Sequence, residues 1–153
     1  MSEQSTIAAP ATAAPATAAD VMRPPLTTVE QQAHVAAAAY LMKHAGTTAL
    51  MVLDTQAGQP AGIITEADIA HAVADGKDVN STRISDLMTT RPTVITTTTT
   101  VRDAAQVMTD GHFRHLPVIG DAGLAGIIDI TDVFRALLET GVSPLPAGIT
   151  QPG

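Results

Sequence analysis

The sequence repeats itself at a fixed spacing, and this limits the possible folds more than any other feature. Asp20-Val21-Met22 returns 66 residues later as Asp86-Leu87-Met88, Leu41-Met42 returns as Val107-Met108, and Ala49-Leu50-Met51-Val52 as His115-Leu116-Pro117-Val118. After a loop shortened by two residues, Ala61-Gly62-Ile63-Ile64-Thr65-Glu66-Ala67-Asp68-Ile69 matches Ala125-Gly126-Ile127-Ile128-Asp129-Ile130-Thr131-Asp132-Val133. Chance is a poor explanation for matches that hold their register over this length. A unit of roughly 55 residues cannot bury a self-sufficient core, so two copies must pack on each other.

Each repeat reads as β-α-β-β-α, which makes the chain α+β. A short extended piece, Leu26–Val29 or Thr93–Thr97, leads to a helix start signalled by Thr28-Val29-Glu30-Gln31 and by Thr100-Val101-Arg102-Asp103. Val29, Ala33, Ala36, Ala37, Tyr40 and Leu41 share one face at helical spacing. Two β-runs follow, Ala49–Leu53 and Gly62–Thr65 in the first repeat, His115–Ile119 and Gly126–Ile128 in the second. The closing helices are Glu66–Asp75 and Asp132–Glu139. The repeats are expected to occupy 20–80 and 81–140. Residues 1–19, an Ala/Thr/Pro tract, read as a disordered tail, and 141–153, with three prolines and three glycines, as a flexible one.

Composition removes several function classes. A net charge of −7 with eight scattered Lys and Arg argues against nucleic-acid binding, which draws its affinity from clustered basic residues. Two Phe, one Tyr and no Trp leave no aromatic platform for single strands. No cysteine means no disulfide, thiolate metal site or thiol nucleophile. The N-terminus lacks a signal-peptide pattern and no apolar run approaches the roughly 20 residues that span a bilayer, so no membrane association and a cytoplasmic location are expected. The Ala-rich, Lys-poor composition is of a kind encoded by GC-rich bacterial genomes.

The order of elements, the doubled Gly-Ile-Ile-x-x-x-Asp opening a final helix, and the Arg114-His115-Leu116-Pro117-Val118 strand together resemble the CBS (cystathionine-β-synthase) domain family over about 120 residues. The resemblance implies a stand-alone pair of CBS repeats related by a pseudo-twofold axis, a Bateman module. The clefts between its sheets would accept AMP, ADP, ATP, S-adenosylmethionine or a similar ligand, and such pairs commonly form a homodimer. Family membership does not choose the ligand.

One cleft carries the chemistry. Thr65 stands at a strand-to-helix junction and Asp68 three residues on. Spacing alone fits two readings equally: a helix-capping pair, or a carboxylate that accepts both hydroxyls of a ribose. The resemblance favours the second, and it also implies that phosphate is met by the two residues before Leu-Pro-Val, here Arg114 and His115. It places adenine against Pro92, Thr93 and Val94. A solvated edge-strand Arg is the plainer reading of Arg114, and His112 reads as a surface loop residue.

The other cleft departs from the pattern. Asp129 stands where Thr is expected, so Asp129 and Asp132 put two acids there, and Thr48 and Ala49 replace the Arg-His pair. Two carboxylates with no cation repel phosphate. This weaker second site, Asp129, Asp132 and Thr48, is expected to be empty or to take a neutral or cationic adenosine compound. A divalent cation is an alternative for the acid pair.

Five scattered His residues show no catalytic or metal-binding spacing. The expectation is a non-catalytic sensor with no obligatory cofactor and no metal, whose adenosine nucleotide changes affinity for an unknown effector protein. The competing expectations are a constitutive dimeric scaffold with a vestigial cleft, or an S-adenosylmethionine or NAD(H) binder.

Overall fold

The computed structural model of the chain describes residues 14–24, 27–54, 56 and 60–140. The elements run α1 (Ala18–Val21), β1 (Thr28–Glu30), α2 (Val35–Ala45), β2 (Ala49–Leu53), β3 (Pro60–Thr65), α3 (Glu66–Ala74), β4 (Thr89–Thr90), β5 (Ile95–Thr96), α4 (Val101–Gly111), β6 (His115–Gly120), β7 (Gly123–Asp129) and α5 (Ile130–Glu139). A 3₁₀ turn, Ile84–Asp86, precedes β4. The first sheet has the order β1-β2-β3-β4 and the second β5-β6-β7. In both, the first strand pairs parallel to the second, which turns back antiparallel into the third.

The apolar runs in the strands follow from burial on two faces. Leu50 and Val52 of β2 face a core with Val35, Ala38 and Met42 of α2, whereas Ala49 and Met51 join Ile63 in a seam packed against Leu124 and Ile127 of the second repeat. Each sheet thus has helices on one side and the other sheet on its second side. The β-runs and closing helices lie where expected, with β3 and β7 extended by a few residues and α5 starting two residues earlier.

The lead-in segment of each repeat belongs to the core of the other. Ile84, fully buried, packs with Val29, Val35 and Leu50 of the first repeat; its counterpart 66 residues earlier, Ala18, packs with Ile95, Val101 and Leu116 of the second. The amide of Val35 donates to the Thr82 carbonyl at 2.9 Å and that of Val101 to the Ala16 carbonyl at 2.9 Å. Thr89 pairs with Ile63, and Arg23 makes the matching bridge to Ile127. Pro24 stands where Thr90 extends the first sheet, and here the second sheet stops at the single Arg23–Ile127 bridge.

Two expectations are corrected here. Thr28–Glu30 is a strand and not a helix start: it pairs with Met51–Leu53, and α2 begins after His34, which is the position 66 residues before the Thr100 cap of α4. The buried face of α2 is therefore Val35, Ala38 and Met42, while Val29 and Ala33 lie outside the helix and Tyr40 is 61% exposed. The tail expected over 1–19 gives way to structure before its end, since α1 starts at Ala18. Residues 1–13 and the expected tail at 141–153 lie outside the described residues.

The exchange explains the glycine of each Gly-Ile-Ile. A Cβ on Gly62 would collide with the Thr89 carbonyl oxygen, and one on Gly126 would lie 2.7 Å from the Arg23 carbonyl oxygen. Only glycine lets the exchanged backbone approach this closely. Gly62→Ala and Gly126→Ala are each expected to lower stability by about 1–3 kcal/mol, the usual range for overpacking. Urea denaturation measures this, and a loss below about 0.5 kcal/mol, the scatter of ordinary surface changes, would contradict the account.

Candidate functional site

Strand-to-helix junctions set the site. Thr65 ends β3 in extended backbone and caps α3, its Oγ1 accepting from the Asp68 amide at 3.2 Å, while Asp68 Oδ2 accepts from the Thr65 amide at 2.9 Å. The capping reading is thus realised, and it uses one carboxylate oxygen. Among the described residues nothing bonds Asp68 Oδ1, and Asp68 lines a cleft of about 1120 Å³ between the repeats. The Glu66 amide donates to the Thr48 carbonyl at 2.9 Å, and the Ile130 amide to the Arg114 carbonyl at 2.9 Å, so each helix start is pinned to the residue just before β2 or β6.

This cleft brings together Thr65, Asp68, Pro92, Thr93, Arg114 and His115, as well as Thr48 and Asp129. Its volume, slightly above the roughly 300–1,000 Å³ of small-molecule pockets, leaves room for a nucleotide-sized ligand. Val94 is not in the lining; it is 46% exposed. The structure adds Lys43, Thr89, His112 and Phe113. His112 is exposed in the turn after α4, as expected of a surface loop residue, and it ends the helix in left-handed backbone, φ 57°, where the first repeat uses Gly46 at φ 65°, a conformation costing a non-glycine residue about 1 kcal/mol. Repeat equivalence points to Thr89 through its counterpart Arg23; nothing local marks Lys43, which reaches the cleft from the last turn of α2.

His115 meets Thr48 across the repeats, Nε2 lying 2.6 Å from Oγ1. Burial pushes the imidazole below its ordinary pKa; Asp129 opposes this, Arg114 adds to it, and Glu66 and Asp132 oppose it further.

The second cleft is not the cation-free acid pair that the sequence suggested. Asp129 and Asp132 form a capping box at α5, with the Asp129 amide 3.1 Å from Asp132 Oδ2 and the Asp132 amide 2.8 Å from Asp129 Oδ1. Arg23 then places Nε 3.1 Å and Nη2 3.0 Å from Asp132 Oδ1, and Arg135 lies 3.6 Å from the same oxygen. Asp132 is only 4% exposed, so these cations neutralise a carboxylate that would otherwise be costly to bury. The hydrogen bond to Asp132, reinforced by its charge, raises the Arg23 pKa. Among the described residues no group of three or more His, Asp or Glu is arranged to hold a metal ion.

The depressed His115 pKa has a pH consequence. Below about pH 6.5 the unfolded chain takes up a proton at this side chain that the folded chain does not, so His115 removes stability as pH falls from there toward the lowered folded value. Between about pH 7.5 and pH 5.5 the wild type is expected to lose more stability than His115→Gln, measured by denaturant unfolding across that range. Equal losses would contradict it.

The family model for the CBS domain matches residues 18–75 and again 84–139. The mitochondrial CBS domain-containing protein CBSX3 of Arabidopsis thaliana is 44% identical over 82 residues, 52% of this chain and 40% of that protein. The crystal structure of a CBS-domain-containing protein from Agrobacterium tumefaciens superposes with a TM-score of 0.73 at 31% identity, over 78% of this chain and 92% of that one. CBSX2 of Arabidopsis thaliana in complex with AMP superposes with a TM-score of 0.66 at 28% identity, over 82% and 98%. The chain spans 40%, 66% and 14% of the length of the first three curated relatives it matches. With two matched repeats, two exchanged lead-in segments and one cleft shared between them, the chain belongs to the CBS domain family as a tandem pair.

Proposed function

We propose that this CBS pair is a non-catalytic regulatory module that binds an adenosine nucleotide of the AMP, ADP or ATP class in the cleft between its repeats and passes occupancy to a partner protein. The observation that carries the reading is Asp68, whose Oδ1 has no hydrogen-bond partner among the described residues, in the lining of a cleft to which the other repeat contributes Arg114 and His115. A carboxylate oxygen left over by a capping box suits the two hydroxyl donors of a ribose, and a guanidinium suits phosphate oxygens. The AMP complex of CBSX2 supports the ligand class.

In this reading Thr65 and Asp68 hold the ribose, Pro92 and Thr93 flank the base, and Arg114 with His115 meets the phosphate. Lys43 adds a second cation to the cleft. The ligand touches both repeats, so it favours one relative packing of the sheets and can shift a partner's affinity only by its own preference for that packing. No obligatory cofactor or metal is invoked. Tyr40, Val73, Phe134 and Leu138, all well over half exposed, are apolar surface suited to a homodimer contact. We place the module in the cytoplasm; among the described residues no helix is long and apolar enough to cross a membrane.

The test is a thermal-shift panel of AMP, ADP, ATP, NADH and S-adenosylmethionine on the wild type and Asp68→Ala. A phosphorylated adenosine ligand is expected to raise the melting temperature, and Asp68→Ala to weaken its affinity by roughly tenfold to a hundredfold, about 1.5–3 kcal/mol for hydrogen bonds to a charged group. Absence of any shift across the panel would leave a constitutive scaffold as the function. A shift with NADH or S-adenosylmethionine alone would replace the ligand class.

A further inference from the structure

The two repeats build matching cavities of unequal size, and among the positions at which their linings differ one carries a charged contact to the cap carboxylate. The smaller cavity, about 440 Å³, has Thr27, Ala49 and Ile127 where the large cleft has Thr93, His115 and Ile63. The large cleft runs on to Thr65 and Asp68; the lining of the small one stops short of their counterparts, Asp129 and Asp132. At the point where it stops stands Arg23, whose counterpart in the large cleft is Thr89.

We infer that Arg23 is the specificity residue that leaves this pair with a single nucleoside site: on Asp132 its guanidinium makes the contacts a ribose would make. The inference rests on the reading that Asp68 binds ribose. Asp132 Oδ1 corresponds to the unpaired Asp68 Oδ1, and it receives two N–H donors from Arg23, at 3.1 and 3.0 Å, in the way a ribose would present two hydroxyls. Asp132 Oδ2 is taken by the capping box, as Asp68 Oδ2 is. Thr89 is too short to reach a carboxylate in this manner, so Asp68 stays open. The backbone of Arg23 is held by reciprocal 2.9 Å hydrogen bonds with Ile127, which fixes the direction from which the guanidinium approaches. Without Arg23 the second cleft offers two acids against the single cation of Arg135, and the uncharged Ala49 where the large cleft has His115, so a site opened there would prefer a neutral nucleoside to a nucleotide.

Isothermal titration calorimetry with adenosine and with AMP tests this on the wild type, Asp68→Ala, Arg23→Thr and Arg23→Thr with Asp68→Ala, with circular dichroism to establish folding. The expected result is one adenosine per chain in the wild type, that site weakened roughly tenfold or more in Asp68→Ala, two sites in Arg23→Thr and one of undiminished affinity in the double variant, the new site binding adenosine more tightly than AMP. A second site filled in the wild type, a site of wild-type affinity in Asp68→Ala, or a folded Arg23→Thr with unchanged stoichiometry would overturn the inference. If Arg23→Thr does not fold, Arg23→Met, which keeps the length of the stem without the N–H donors, replaces it in the single and double variants with the same outcomes expected. If the wild type binds neither compound, the ribose reading of Asp68 fails, and gain or absence of a site in the double variant still decides whether Arg23 closes the second cleft.

Discussion

The close backbone approach at Gly62 and Gly126 is the constraint on which the rest of the molecule depends. It lets the segment before each repeat lie against the last strand of the other, so that Ile84 and Ala18 complete cores to which they do not belong in sequence. Two units too small to stand alone become one body through this exchange. The shared cleft is a by-product of the same geometry: with helices on the outer faces and the seam of Ala49, Met51 and Ile63 between the sheets, the helix-opening residues of the two repeats are drawn to a common space.

Near-symmetry makes the differences between the repeats informative. Thr65 and Asp129 cap their helices in the same way, and Asp68 and Asp132 return the same hydrogen bond to the capping residue's amide. What differs is what reaches the remaining carboxylate oxygen. In one repeat none of the described residues bonds it; in the other an arginine carried on the exchanged segment takes it. At this register position the side chain differs between the repeats, Thr89 against Arg23, while the strand-like pairing of the backbone with Ile63 or Ile127 is kept.

Much of this was legible in the sequence where the determining interactions are local. The strands Ala49–Leu53 and His115–Gly120 are apolar runs bounded by polar turns, and Thr65 and Asp68 sit at capping-box spacing, so element type and candidate site could be read from neighbours in the chain. The start of α2 was misread because Thr28-Val29-Glu30-Gln31 carries a cap-like pattern; the 66-residue register, which places the cap at His34 opposite Thr100, contained the correction. The exchange of lead-in segments and the Arg23 contact to Asp132 were not legible. Partners 109 residues apart leave no periodicity in either segment, and an isolated arginine beside two prolines looks like any surface charge. Val94, placed in the site with its neighbours Pro92 and Thr93, is absent from the lining.

The most direct measurement is a crystal structure of the chain grown with AMP. The account expects AMP in the large cleft, its ribose hydroxyls on Asp68 Oδ1 and its phosphate within hydrogen-bonding reach of Arg114 and His115, with Arg23 still on Asp132. AMP bound in the smaller cavity against Asp132, or an empty large cleft at saturating AMP, would contradict it.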